Sequence, residues 1–404
     1  MQPPRPLEGL LVVDLTTALS GPYATLQLAG LGARVIKIED AARGDSSRNN
    51  SPFVNADGGV SVKRQEPEDW SVSMLVRGRD KESVTLNLKH PDDYRAFMTI
   101  VERADILVEN FSPGVTDRLR IDYLTVKASN PRIVYCSISG FGQDTTYGSA
   151  KALDAIIQAL SGTMFTSGDE NEPPIRLGIQ LGDMIAPLFA VTGVLAAVHQ
   201  RHRTGLGQHV DVSMLGALTS MIASEPFDVM EEIGCSGRTG QFVPRLAPFG
   251  VFQSSDNWVA ICAHTDHLAA ALFTAIGSPE WMKGTPFQNR EERVADSDTL
   301  HRLIEEWTKV RSSTEILNAL SDHNVPAAIV RTPTEALRDP IVRDRSDVVP
   351  LAHPQLGEMS NLSAPGIPIT FDGEAPLFRS AARPLGADTG KVLAEFAVAR
   401  RMNP

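Results

Sequence analysis

The run from Leu10 to Glu39, LLVVDLTTALSGPYATLQLAGLGARVIKIE, decides the fold class. Leu10 to Leu15 is a short continuous apolar run, the pattern of a strand covered on both faces of a parallel sheet. Gly21 to Leu31 reads as a helix, with Gly30 and Gly32 placed to end it and turn the chain. Ala33 to Glu39 then reads as a second strand. Strand, helix and strand within about 30 residues make a βαβ unit. The alternation returns with a helix at Tyr94 to Arg103 and strands at Ile106 to Val108 and Arg132 to Ile138. The predicted architecture is therefore α/β, a Rossmann-like, doubly wound parallel sheet. The turn TTALSGPYA after the first strand lacks the GxGxxG pattern, which argues against a nicotinamide or flavin cofactor on that loop.

Outward from this unit, Arg43 to Glu68 is rich in Gly, Ser, Asn and Asp without periodicity and reads as a long surface loop. Helix is expected over Met214 to Met230, followed by an irregular crossing from Glu231 to Gly250. Val251 to Ala263 (VFQSSDNWVAICA) reads as two strands joined by a Ser-Asp-Asn turn. Helical patterns at His267 to Ile276, Thr299 to Val310 and Ser313 to Ser321 complete a small α+β unit. A Pro-punctuated stretch begins near Arg331, and a helix is predicted at Thr389 to Arg401. At 404 residues the chain exceeds what one core usually serves. These breaks divide it into 1–224, a large domain; 225–330, a small domain with crossing linkers; and 331–404.

A net charge of −11 argues against a nucleic-acid partner, because phosphate backbones want a basic face. Cys136, Cys235 and Cys262 are too few and too scattered for a disulfide framework or a zinc site, and no metal is expected. The start MQPPRPLEGL lacks a basic stretch followed by an apolar one, and no 18-residue apolar run is free of charge or proline. No signal peptide and no membrane span are expected, and the expected location is cytoplasmic.

The stretch most informative about chemistry runs from Lys151 to Ala217. Within it Asp183 ends an extended run, Ile175 to Leu181, and opens a long apolar helix. A carboxylate there would meet free N–H groups and the positive end of the helix dipole, and is expected to stay ionised. Ile185, Leu188, Phe189, Val191, Val194, Leu195 and Val198 spread over most of the circumference, so the helix is expected to be central and buried. Its exit reads HQRHRTGLGQ. On residue type alone Asp183 is a plain N-cap or a reactive carboxylate, and both readings stand.

Ordered blocks along the chain separate them. Pro6 to Pro22 fits P-L-x-G-L-x-V-x-D-L-T-x-x-x-x-G-P, and Leu31 to Glu39 reads L-G-A-R-V-I-K-I-E. Asp105 to Gly114 reads D-I-L-V-E-N-F-S-P-G, and Asn130 to Gly142 reads N-P-R-I-V-Y-C-S-I-S-G-F-G. Gly182-Asp183 precedes the apolar helix and R-x-x-T-G-x-G-Q (Arg201 to Gln208), and Gly386 to Leu393 reads G-A-D-T-G-K-V-L. Taken together they resemble the class III CoA-transferases, the family of formyl-CoA and carnitine CoA-transferases.

The resemblance implies a large domain built from both chain ends and a homodimer of two interlocked chains. It implies an enzyme that moves CoA from an acyl-CoA donor to a free carboxylic acid. Asp183 would be the nucleophile, passing through an aspartyl anhydride and an aspartyl-CoA thioester. Coenzyme A would be held by Lys81, Asn110, Phe111, Arg118 and Lys151 and by the turn Thr17, Ala18, Leu19 and Ser20. The N–H groups of Ala18 to Ser20 and of the Asp183 helix are candidate oxyanion donors. The chain departs from the pattern at Asp40, where the family has an arginine; Arg43 and Arg77 are candidate replacements. It departs again at Arg245 to Gly250, where a glycine-rich active-site loop is missing. α-Methylacyl-CoA racemases share the fold and carry a Gly-His-Asp motif where this chain has Ala152-Leu153-Asp154, and neither His202 nor His209 takes the histidine's place. A racemase-like enzyme and a catalytically inactive CoA-binding paralogue are the alternatives.

Overall fold

The computed structural model describes residues 5–147 and 150–402. It comprises two compact units: Met1–Ser161, Gly178–Met221 and Leu337–Pro404 form the first, and Gly162–Leu177 with Ile222–Ala336 the second. The segment 162–177 thus folds with the second unit, whereas the sequence divisions had left it in the first.

In the first unit six parallel strands form one sheet: β1 (Leu11–Asp14), β2 (Arg34–Glu39), β3 (Lys81–Thr85), β4 (Ile106–Glu109), β5 (Val134–Ser139) and β6 (His209–Ser213). Their spatial order is β3-β2-β1-β4-β5-β6. Strand order therefore reverses between β1 and β4, and ligands of such sheets bind outside the carboxyl ends of the strands at that switch point. The register sets Val12 beside Val35 and Ile106, so alternate residues of every central strand face opposite layers. Val12, Val35, Ile106, Val108, Val134 and Cys136 pack against helices α1 (Ser20–Gly30) and, described below, Leu181–Thr204. Val13, Ile36, Val84, Leu107 and Tyr135 pack on the other side, against Pro91–Val101 and the C-terminal helix Thr389–Met402. Both faces are covered, which is why β1 (LVVD) and β4 (ILVE) read as apolar runs that end in a carboxylate.

The remaining helices of the first unit that bear on the site are α2 (Val72–Arg77), α3 (Pro91–Val101), α4 (Val115–Leu119), α5 (Tyr123–Ser129), α6 (Asp154–Leu160) and α7 (Leu181–Thr204). The C-terminal segment is pinned to β3 by Ser83 N–H to Asp388 Oδ2 at 3.0 Å and Thr85 N–H to Thr389 Oγ1 at 3.0 Å. That pairing accounts for the Gly386 to Leu393 block.

Several expectations change. Arg43 to Glu68 is not a bare surface loop: Asp45 and Ser47 are buried, and Phe53–Val54 pairs with Val60–Ser61 and Trp70–Ser71 in a small antiparallel sheet. Strands of two residues carry no readable period. α7 is half a core helix. Small residues (Gly182, Ala186, Ala190, Ala197) with Val194 and Val198 meet the sheet, while Leu188 and Phe189 are each 46% exposed. Small side chains let helix and sheet approach closely, so the large ones are left on the outer face. Among the described residues α7 is the one helix long and apolar enough to cross a membrane. Packing of its inner face in the core accounts for that composition. Its exit is also structural: Arg201 is buried against Asp105 Oδ1 at 2.9 Å, and Gly205 (φ 74°) is the left-handed cap. A Cβ on Gly207 would lie 1.9 Å from the Ile133 carbonyl oxygen, so only glycine passes there. The helix predicted over Met214 to Met230 stops at Ile222 and resumes at Phe227, because Pro226 has no N–H to continue it.

The second unit holds a three-stranded antiparallel sheet, Phe249–Gln253, Trp258–Cys262 and Ala327–Ile329. Asp266–Ala275, Ser297–Lys309 and Ser313–Ser321 cover it, with Phe252, Ile261, Phe273, Leu300 and Ile316 in its core.

Candidate active site

The loop after β1 is fixed by buried side chains rather than by its own turn. Asp14, at the end of β1, accepts Thr16 N–H at 2.9 Å and Thr25 Oγ1 at 2.6 Å. Burial opposes its charge, but Lys37, Lys81 and the two threonine hydroxyls outweigh that and hold its carboxyl well below the usual range. Lys37 Nζ donates to the Thr16 carbonyl at 2.7 Å and pairs with Asp45 Oδ2 at 2.8 Å. Asp45 Oδ1 in turn accepts Ala18 N–H at 3.0 Å, holding Ala18 in the left-handed region at φ 68°. Asn110, just past β4, grips the Thr17 backbone at both ends, accepting its N–H at 2.8 Å and donating to its carbonyl at 2.9 Å. The bonds from Lys37, Asp45 and Asn110 each join segments more than 20 residues apart.

This loop forms one wall of a cavity of about 250 Å³. Thr17, Ala18, Leu19, Ser20, Asn110 and Phe111 line that wall; Ala150, Ala152, Leu153, Asp154, Asp183 and Met214 face it. Asp183 is the third residue of α7, and its side chain does not cap the helix; Gln180 occupies the N-cap position. Asp154, the first residue of α6, takes that role from a distance: its Oδ1 accepts Gly182 N–H at 2.8 Å and Asp183 N–H at 3.4 Å. Its Oδ2 is held by Gln158 Nε2 at 2.7 Å. The expectation that Asp183 is held ionised by the helix start is corrected accordingly. Burial, joined by the charge of Asp154 and opposed by Arg77, pushes its carboxyl up to about 6. At neutral pH it remains mostly ionised and is a stronger base than a surface aspartate. Ser20 Oγ is buried at the cavity without a hydrogen-bond partner. Ala18 N–H, given to Asp45, is withdrawn from the oxyanion donors; the backbone of Leu19 and Ser20 remains.

A second cavity of about 240 Å³ shares Thr17 and Phe111 with the first. Ile38, Leu86, Leu88 and Leu119 give it apolar walls; Arg43 and Lys89 bring cations, alongside the carboxylates of Glu39, Asp40 and Asp45. Apolar surface beside cationic donors suits a purine carrying phosphates. Phe111 N–H is held at 2.8 Å by Glu109 Oε2, a carboxyl that burial pushes up to about 7.

Lys81 is displaced from its expected role. It lies in the core with Nζ donating to Asp14 Oδ2 (3.0 Å), the Pro22 carbonyl (2.9 Å) and Thr25 Oγ1 (2.7 Å), so all three of its donors are spent. Lys89, eight residues on, lines the cavity instead. Its signal in the sequence was the LNLK ending that follows β3, where the chain leaves the switch-point edge of the sheet. Asn110 first positions the loop, as its two bonds to Thr17 require. Arg118, on α4, and Lys151, just before α6, are exposed. Of the two candidates to replace the arginine absent at Asp40, Arg43 lines the second cavity, whereas Arg77 interacts electrostatically with Asp45 and Asp183. No group of three or more His, Cys, Asp or Glu side chains suited to a metal ion occurs among the described residues.

Fold and site together define a doubly wound α/β protein with a half-buried carboxylate at its ligand-binding edge. The chain belongs to CoA-transferase family III, whose profile matches residues 7–389. It is 34% identical over 398 residues to the acetyl-CoA:oxalate CoA-transferase of Acetobacter aceti, covering 98% of this chain and 97% of that one. It is also 34% identical over 401 residues to the succinyl-CoA:mesaconate CoA-transferase of Haloarcula marismortui, covering 95% and 97%. Among solved structures, a CaiB/BaiF family protein from Brucella suis superposes with a TM-score of 0.83 at 29% identity, covering 98% of this chain and 100% of that one. The protein is an enzyme that transfers CoA, and CoA thioesters are its substrates.

Proposed function

We propose that Asp183 carries the transfer covalently and that the acceptor is a short dicarboxylic acid. The observation that carries the first part is a half-buried carboxylate, raised in basicity, in a cavity that shares its wall with a second cavity of apolar residues and two cations. Asp183 oxygen attacks the thioester carbonyl, the C–S bond breaks, and CoA leaves as thiolate, giving an acyl-aspartyl anhydride. The thiolate then attacks the aspartyl carbonyl and releases the donor acid, giving an aspartyl-CoA thioester. The acceptor carboxylate runs both steps in reverse and regenerates the Asp183 carboxylate. N–H groups of Leu19, Ser20 and the first turn of α7 are the oxyanion donors in this scheme. Lys89 and Arg43 hold the phosphates of CoA with Phe111 beside the adenine, and Arg118 and Lys151 reach the same ligand from the rim. Oxalate and mesaconate, the acids named for the two relatives, each carry two carboxylates, which supports the second part.

The proposed enzyme works as an interlocked homodimer in the cytoplasm. The outer face of α7 (Leu188, Phe189) and the neighbouring α6 residues Ile156 and Leu160 form exposed apolar surface that one chain leaves uncovered. A second copy of the chain is the proposed occupant of this face. All three cysteines are free, which suits a reducing compartment.

The test is to incubate the protein with acetyl-CoA or succinyl-CoA and hydroxylamine, then map the modified residue by mass spectrometry. A hydroxamate on Asp183, absent in Asp183→Asn, is the expected result; transfer to a panel of acids without any adduct overturns the covalent route. The racemase alternative has a chemical obstacle. Inversion needs a base on each face of the α-carbon, and no histidine lines the cavity, where Leu153 stands exposed. Heavy-water incubation of a 2-methylacyl-CoA should show no deuterium wash-in linked to inversion; rapid wash-in without CoA transfer would restore the racemase.

A further inference from the structure

Helix α1 opens onto the Asp183 cavity with its first turn unanswered. Its N-cap is Leu19, no side chain caps it, and no acidic residue stands in the first turn. Tyr23 N–H closes that turn on the Leu19 carbonyl at 2.9 Å, and Pro22 carries no N–H, so Ser20 and Gly21 hold the remaining donors of the turn. The Ser20 side chain adds a further one. Ser20 is 4% exposed, its Oγ is buried without a hydrogen-bond partner, and the residue lines the same cavity as Asp183. The start of the helix is also held in place. A Cβ on Gly21 would lie 2.4 Å from Thr16 Cβ and 3.1 Å from Asn110 Cγ, so the helix is pressed against the two residues that fix the loop.

The polar groups around Ser20 are already committed. Thr16 Oγ1 donates to Asp14 at 2.5 Å, Asn110 is bonded twice to the Thr17 backbone, and Ala18 N–H is given to Asp45. Across the cavity, α7 gives Gly182 N–H to Asp154 at 2.8 Å. A buried hydroxyl left unbonded costs stability, and a ligand group that answers it offsets that cost. Ser20 lines the Asp183 cavity and not the second one, so that group belongs to the reacting end of the substrate rather than to its phosphates. No hydrogen bond joins Ser20 to Asp183, and the two stand on facing walls with the cavity between them. Nor is Ser20 equipped as a nucleophile, because no base accepts its proton.

Resting on the transferase reading above, we propose that the Ser20 hydroxyl is a catalytic residue, the side-chain donor that holds the thioester carbonyl oxygen while Asp183 attacks the carbonyl carbon. Asp183 oxygen bonds to that carbon and the π pair of the C=O moves onto its oxygen. Ser20 O–H receives the charge together with the backbone N–H groups at the positive end of α1. The pair then returns, the C–S bond breaks, and CoA leaves as thiolate. Ser20 keeps its proton throughout. Rotation about its single Cα–Cβ bond is all that a serine needs to bring the hydroxyl to that oxygen. Because the charge exists only during attack, the bond strengthens in the transition state and acts on kcat rather than on binding.

The test is Ser20→Ala, with Ser20→Cys as the conservative variant. It is read by the single-turnover rate of hydroxamate formation at Asp183 from acetyl-CoA and hydroxylamine, by steady-state kcat and KM, and by melting temperature. Ser20→Ala should slow acylation and kcat by on the order of 100-fold, the size of losing one oxyanion donor. KM for acetyl-CoA should change by no more than about threefold, as for an interaction made only in the transition state. Ser20→Cys keeps a weak donor and should lose about tenfold. The melting temperature of Ser20→Ala should equal or exceed that of the unmutated protein, because the hydroxyl it removes bonds nothing within the fold. Acylation within about threefold of the unmutated rate, a loss carried by KM alone, or a lower melting temperature overturns the assignment. Absence of hydroxamate on the unmutated protein defeats the transferase reading itself, whereas its presence with an unmoved Ser20→Ala rate defeats only the role of Ser20.

Discussion

Replacing Asp154 by Asn should shift the pH profile of the transferase downward. Asp183 has its carboxyl at about 6 against an ordinary 3.8, with burial as the first cause and the Asp154 charge as the second. Two unit charges about 6 Å apart at an effective dielectric near 20 interact by roughly 3 kcal/mol, an upper bound that nearby solvent reduces. Because burial is the larger cause and survives the substitution, the charge accounts for less than half of the rise, or about 0.5 to 1 pH unit. The nucleophile must be ionised, so wild-type kcat/KM for the acyl-CoA falls as pH drops through about 6. In Asp154→Asn that fall moves to roughly pH 5 to 5.5. Asparagine keeps an oxygen to accept Gly182 N–H, so the cap on α7 survives. Its amide nitrogen meets Gln158 Nε2, now 2.7 Å from the carboxylate, and that lost bond costs about 1 kcal/mol of stability. The assay is kcat/KM for acyl-CoA from pH 4.5 to 8, with folding followed by circular dichroism at each pH. An acid limb within about 0.2 pH unit of wild type, or one moved upward, would refute the coupling of these two carboxylates.

Asp183→Asn should abolish transfer and yet raise the melting temperature. The folded pKa of Asp183 lies above its ordinary value, so its ionised form weakens the fold above pH 6 and the penalty fades as pH falls toward 4. Removing the charge returns about 1 to 2 kcal/mol at pH 7, after allowance for partial exposure, and a lower melting temperature would contradict this. Lys81→Met should destabilise by about 3 kcal/mol in urea titration without a selective rise in KM for acyl-CoA, because it breaks a buried pair. Lys89→Ala should do the opposite, raising that KM about tenfold with stability unchanged, and the reverse pattern would return the ligand to Lys81. Dilution to nanomolar concentration in mass photometry should leave the proposed interlocked dimer intact, since separation requires unfolding; reversible monomers would rule out interlocking.

Which parts of this protein could be read from the chain depends on how local their causes are. β1, α1 and β2 were legible because strands covered on both faces are predominantly apolar, and because glycines end the apolar helix between them. Asp183 was legible for a similar reason: the Gly-Asp step, the apolar helix and the Arg201 to Gln208 exit lie within one stretch. The short strands between Phe53 and Ser71 were not, being two residues each and held by partners rather than pattern. Nor was the exposure of Leu188 and Phe189, since an apolar side chain reads alike whether the core or another chain covers it.

By itself, the sequence determined a doubly wound sheet, the switch-point loops that carry its chemistry, and the aspartate at the head of α7. Tertiary structure alone decided what surrounds that aspartate. Asp154 caps α7 from α6 across 28 residues, and Lys81 lies buried on Asp14 while Lys89 faces the cavity. Asn110 spends its amide on Thr17, 93 residues away, and Arg77 Nε is buried without a hydrogen-bond partner. The physical reason is common to all four. A charged side chain looks the same in sequence whether it meets a ligand, a core carboxylate or nothing, and only the folded sheet, by setting its crossover loops side by side, supplies or withholds the partner.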